Sequence, residues 1–207
     1  MNISKTDLED KVMSKSEHIS KKSAPYTKIE NLGSRYKSSA QEHGYTGYLG
    51  YLRYFFRFNI NFYLNIFAML VPYSGLRVTL HRARGVKIGK NVMIGFNVTI
   101  DNIYPYLVTI EDGASLAGNN LILAHSKPLE YHKNVFKSYA APVIIKKNAW
   151  VTVGVIVLAG VTIGEGSVIA ANSVVDKDVP SNCLAAGNPI KIIKELDING
   201  ENKGVKQ

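Results

Sequence analysis

An aliphatic side chain returns every six residues through much of this sequence, at Ile88, Ile94 and Ile100, then after a short insertion at Ile110, Leu116 and Ile122. The register lapses, resumes at Ile145, and continues through Val151, Val157, Ile163, Ile169 and Val175. A period of six is neither the 3.6 of a helix nor the two of an isolated strand. It describes a short strand and a corner, three of which make one coil of about 18 residues. Four residues after the aliphatic position of each uninterrupted hexad stands a small or β-branched side chain, at Val92, Val98, Ala114, Ala149, Val155, Val161, Ser167, Ser173 and Val179, with Asn120 the exception. The aliphatic residues are the expected core, and the small ones belong where space is tight. Gly89, Gly95, Asn91, Asn97, Gly154, Gly164 and Asn172 tolerate unusual backbone angles and suit the corners.

The remaining sequence is organised around this repeat. Residues 1–46, rich in Lys, Ser and Glu, read as a flexible arm without chemistry. Residues 47–76 form an aromatic helical segment. Leu52, Phe55, Phe56, Ile60, Tyr63, Phe67 and Leu70 make one apolar face, Arg53, Arg57, Asn61 and Asn65 mark the other, and Pro72 ends the helix. Its most apolar stretch, 60–71, is interrupted by Asn61 and Asn65 and is shorter than the roughly 20 residues needed to cross a bilayer. The coil is expected over 77–189, with the lapse in register at 125–142 forming a loop beside it. A short helix and tail are expected over 190–207.

The net charge of +9 favours anionic partners without choosing among them. No nucleic-acid-binding module is present, so nucleic acid is not an expected partner. The single Cys183 permits no internal disulfide, and with no secretory signal the chain is read as cytoplasmic. His125 stands where the apolar run LILA enters the loop, a rigid position that suits a general base titrating near neutrality. His132 shares the loop. A third imidazole for zinc would have to come from His18, His43 or His81, all before the repeats, so no metal is expected.

The runs IGKNVMIGFNVTI and AGVTIGEGSVIAANSVVDKDVPSNCLAAGNPIKII resemble the hexapeptide-repeat acyltransferases, most of all the galactoside and maltose acetyltransferases and the O-acetyltransferases of surface-polysaccharide synthesis. The resemblance covers about residues 77–196. It implies an all-β fold, a left-handed parallel β-helix assembled as a homotrimer with active sites between subunits. The implied reaction is transfer of an acetyl group from acetyl-CoA to a hydroxyl of a saccharide, with His125 as catalytic base. By the same resemblance Asn97 and Asp101 would hold the acceptor, although either also fits a corner turn, and the insertion NIYPYL departs from the galactoside enzymes.

Trp150, Gly154, Ala159, Gly160, Ala171 and Asn172 would line the path of acetyl-CoA, Trp150 fitting a core position equally well. Lys191 and Lys194, three apart on the expected C-terminal helix, match positions that bind the cofactor's phosphates; a solvated basic face is the other reading. Acetylation of an amine or antibiotic, and a non-catalytic scaffold on a membrane, stay open beside the leading function. The segment 48–71 likewise fits both a peripheral membrane contact and a cap on the coil or subunit interface.

Overall fold

The computed structural model describes residues 27–28, 40–41, 44–128, 130–132 and 134–197. Most of the 1–46 arm and the tail beyond 197 therefore lie outside the described residues. Among the described residues, the strand β1 (Thr27–Lys28) is followed by the long helices α1 (Gly47–Leu70) and α2 (Ser74–Ala83). Pro72 follows the end of α1, where the Val71 N–H still bonds to Phe67 O.

Four coils follow. The first is β2 (Lys87–Ile88), β3 (Met93–Ile94) and β4 (Thr99–Ile100); the second is β5 (Val108–Ile110), β6 (Ser115–Leu116) and β7 (Leu121–Ile122). A hairpin of β8 (His125–Ser126) and β9 (Tyr139–Ala140) then leaves the stack. The third coil is β10 (Val143–Ile145), β11 (Trp150–Val151) and β12 (Ile156–Val157), and the fourth is β13 (Thr162–Ile163), β14 (Val168–Ile169) and β15 (Val174–Val175). The chain closes with β16 (Cys183–Ala186) and β17 (Lys191–Glu195).

Corresponding strands of successive coils pair in parallel, so the molecule is a prism with three faces. The first face holds β2, β5, β10 and β13; the second β3, β6, β11, β14 and β16, with β17 at its edge; the third β4, β7, β12 and β15. Because strand side chains alternate, the second residue of each two-residue strand points inward. Ile94, Ile100, Leu116, Ile122, Val151, Val157, Ile163, Ile169 and Val175 are buried in this way. The six-residue reading therefore identifies the core. Asn120, its exception, is satisfied inside: its amide donates to Ala117 O and its carbonyl accepts from Val155 N.

The corners use two devices where the sequence suggests one. Asn91, Asn97, Asn172 and Gly154 do adopt positive φ. Gly95 and Gly164 do not. They are glycine because the next coil passes too close, a Cβ on Gly95 falling 2.5 Å from the backbone of Ala117 and one on Gly164 falling 2.4 Å from Ser181 N.

Two expectations need correction, and the helix expected at 47–76 presents its polar side to the coil. Residues 77–83 belong to α2, so the coil begins at Lys87. The apolar side of α1 does not face the coil: Tyr54, Asn65 and Ala68 are its buried residues, while Phe56, Ile60, Tyr63 and Phe67 are exposed. The reason lies at the base of the prism, where the first coil has unpaired backbone groups that only polar side chains can satisfy. Arg77 donates to Ile94 O and Arg82 to Ile88 O and Gly89 O; Arg84 donates to Ile100 O and Asp101 O, and Asn61 to Asn102 O. Finally, residues 191–195 are a strand, antiparallel to β16, and not a helix. The free edge of β16 supplies a ladder, and the β-branched Ile192 and Ile193 favour extended backbone.

Candidate functional site

His125 leaves the third face just after β7, at the corner leading back to the first face. The preceding Ala124 is fully buried, and β8 is clamped by antiparallel pairing of His125 with Ala140. β1 adds to the outer edge of the hairpin, Thr27 facing Ala140. The imidazole thus stands on a rigid support, with its side chain 21% exposed.

Below it, one coil down the same corner, sits Asp101. Its Oδ1 accepts the N–H groups of Ile103 and Tyr104, both at 2.8 Å, which shapes the NIYP insertion as a turn around the carboxylate. Its Oδ2 accepts Ala124 N–H at 2.8 Å and lies 2.5 Å from His125 Nδ1. Burial raises the Asp101 pKa, but the hydrogen bonds from His125 and from the Tyr104 and Ala124 N–H groups, together with the charge of His125, outweigh it and hold the pKa below its ordinary value. An ionised carboxylate only accepts, so Nδ1 carries a proton and Nε2 is left as the basic nitrogen. The Tyr104 ring packs against the imidazole with centroids 5.6 Å apart.

This geometry changes the role of Asp101. With its side chain wholly enclosed and both oxygens committed, it has no surface to offer an acceptor, contrary to the expectation. It orients His125 instead. Its own backbone is held from beneath by Arg84, whose guanidinium also donates to Asn61 Oδ1, Asn65 Oδ1, Asn102 Oδ1 and His81 Nδ1. Burial lowers the Arg84 pKa to about 10, with Asp101 acting in the opposite sense. Arg84, Tyr104 and Asn102 escape sequence reasoning, because none falls on the repeat, and Asn61 and Asn65 enter it only as the polar side of the helix. The one available signal is an acid directly before an insertion, where the repeat calls for a corner.

The other expected site residues divide between two corners and the second face of the prism. Asn97 occupies the corner at the far end of β4 from Asp101, in the left-handed conformation at φ 55°, and its amide donates to Asn119 of the next coil. That is the geometry of a corner turn. Gly154, Ala171 and Asn172 follow on that second-to-third corner. Ala159 and Gly160 share the His125 corner, a Cβ on Gly160 lying 3.3 Å from Ala141 at the foot of the hairpin. Trp150 is not core; it projects from the second face, about half exposed. His132 is exposed in the loop.

Lys191 and Lys194 also stand on the second face. Three residues apart on a regular strand they would point to opposite sides. A register shift lets Lys194 oppose Leu184 while Lys191 opposes Ala186. Since Leu184 and Ala186 are two apart, both lysines emerge on the outer side. Trp150, Val168, Leu184 and Lys194 are successive partners across β11, β14, β16 and β17, forming one outward row. A shallow recess of about 500 Å³ lined by Lys87, Gly89, Thr109, Asp112 and Lys147 lies on the first-to-second corner, on a different edge from His125.

The model for the hexapeptide repeat of succinyl-transferase matches residues 85–124 and 142–177, the four coils without the hairpin. The galactoside O-acetyltransferase of Escherichia coli (strain K12) is 40% identical over 114 residues, 54% of this chain and 55% of that one. The chain spans about half the length of the curated relatives it matches. Among solved structures, a hexapeptide-repeat-containing acetyltransferase from Vibrio cholerae O1 biovar eltor, complexed with acetyl coenzyme A, superposes with a TM-score of 0.59 at 25% identity, over 70% of this chain and 89% of that one. A maltose O-acetyltransferase from Clostridium difficile 630 does so with a TM-score of 0.53 at 28% identity, over 69% and 85%.

Proposed function

We propose that this chain, whose four coils match the hexapeptide-repeat model, is a member of that family and an acetyltransferase that moves an acetyl group from acetyl-CoA to a hydroxyl of a saccharide. The observation that carries the reading is the Asp101–His125 pair: a buried carboxylate, fixed by three backbone N–H groups, holds Nδ1 protonated and leaves Nε2 to act as base.

In the proposed reaction the acceptor hydroxyl gives its proton to His125 Nε2 as its oxygen attacks the thioester carbonyl. The imidazolium that forms is stabilised by Asp101, as in other His–carboxylate pairs. Collapse of the tetrahedral oxyanion breaks the C–S bond, and the proton passes from Nε2 to the departing sulfur. One C–O bond forms, one C–S bond breaks, and no covalent enzyme intermediate is needed. The saccharide acceptor is supported by the galactoside and maltose enzymes among the relatives, and acetyl-CoA by the complex formed by the Vibrio protein.

We further propose a trimer of left-handed prisms with its sites between neighbours. Supporting this, His125 lies on the corner between the third and first faces, whereas Trp150, Lys191 and Lys194 lie on the second face, opposite that corner. One prism cannot bring them together; two adjacent copies can. Trp150 would then meet the pantetheine arm, and the two lysines, as point charges, the phosphates. Ala159 and Gly160, beside His125, leave room for the arm.

Acetyl-CoA binding by calorimetry, which needs no knowledge of the acceptor, tests the reading. Wild type should bind, and Lys191→Ala/Lys194→Ala should weaken binding by about tenfold or more, the order expected for two charge-assisted contacts. A folded protein that shows no binding heat would remove the acetyltransferase reading.

A further inference from the structure

Helix α1 turns its polar side to the base of the prism and its apolar side to the outside. Leu52, Phe56, Ile60, Tyr63, Phe67 and Leu70 follow one another in steps of three or four and so form one strip. They are 42–64% exposed. The strip is about 27 Å long at 1.5 Å per residue. Arg53 and Arg57, one turn apart, are exposed beside it. From His43 to Ile100 the sequence has no Asp or Glu. Yet no described helix is long and apolar enough to cross a membrane.

We propose that this strip docks the protein on an anionic lipid surface, α1 lying in the plane of the headgroups. The aromatic and aliphatic side chains enter the boundary with the acyl chains, and Arg53 and Arg57 meet lipid phosphates. Charge decides for lipid over a second copy of the same strip. Two such strips face to face would bring arginines together with no carboxylate from 43–100 between them. Anionic headgroups supply the missing charge. The docking adds a surface to the proposed acetyltransferase and does not depend on its chemistry.

Sedimentation of the full chain with vesicles tests this. It should sediment with vesicles of mixed phosphatidylglycerol and phosphatidylcholine and far less with phosphatidylcholine alone. Arg53→Gln/Arg57→Gln should weaken binding roughly thirtyfold, and Phe56→Ser/Phe67→Ser by at least about tenfold, while circular dichroism and acetyl-CoA binding stay as in wild type. Failure to sediment with the anionic vesicles overturns the proposal, as does full vesicle binding by both variants. A wild type that ignores vesicles and a Phe56→Ser/Phe67→Ser protein of reduced mass by light scattering would instead assign the strip to subunit contact.

Discussion

Asp101 shows how tightly a single side chain is determined by the hydrogens around it. Each carboxylate oxygen faces N–H donors, so an amide in its place must turn its NH2 group toward one of them. Near His125, that NH2 forces Nδ1 to accept and Nε2 to hold the proton, the wrong tautomer for a base. Asp101→Asn should therefore lower kcat by about 10²- to 10⁴-fold with acetyl-CoA affinity unchanged, measured by thiol release and calorimetry; wild-type kcat would remove the orienting role. The depressed Asp101 pKa has a definite sign in stability. Its contribution is complete above the unfolded carboxylate value and disappears as pH falls through the lower folded one. His125 could be singled out in the sequence because the loop begins at it. Its partner reads as an acceptor contact, since a sequence shows the type and spacing of Asp101 but not that four donors enclose it.

The two capping helices pose a different problem, because they work against their own periodicity. Amphipathic reading assumes that the apolar face goes inward, a rule for helices packed on apolar surfaces. The base of a β-helix is instead a row of open carbonyls, so Asn61, Asn65, Arg77, Arg82 and Arg84 face it. The last strand was similarly ambiguous: KIIKE suits a short helix by its lysine spacing and a strand by its isoleucines, and only the open edge of β16 decides. The repeat itself was legible throughout, since every sixth residue answers to the same interior.

His81 belongs to the cap and makes it sensitive to acid. It is wholly buried, its Nδ1 accepts from Arg84, and Nε2 has no partner among the described residues. Burial first, then Arg84 and Arg77, push its pKa from 6.5 to about 3. Between those values the unfolded chain takes up a proton that the folded one does not, so stability falls as pH drops below 6.5. At pH 5 the loss is about 2 kcal/mol. Urea midpoints at pH 7 and pH 5 should separate for wild type and nearly coincide for His81→Gln.

At the scale of the whole molecule, the prism's shape forces the division of labour. A corner and its opposite face cannot serve the same pocket, so base and phosphate-binding residues must come from different copies in the proposed trimer. At acetyl-CoA well below saturation, where the variant without the base and the weakly binding one are both impaired, the two should therefore repair one another. His125→Ala mixed equally with Lys191→Ala/Lys194→Ala, unfolded together and refolded, should recover about a quarter of wild-type activity, the chance that a random pair of neighbours supplies both intact halves. Mixtures no more active than their components would place the whole site within one chain.

The arginines under the first coil also set how long the object can become. Each coil ends in groups ready to receive another coil in register, and a stack with open ends is a seed for a filament. Arg77, Arg82 and Arg84 occupy the carbonyls at one end, and β17 turns antiparallel across the edge of the second face at the other. What reads as a helical lid is thus a terminator of polymerisation, without which the same ladder that builds the fold would continue from one molecule into the next.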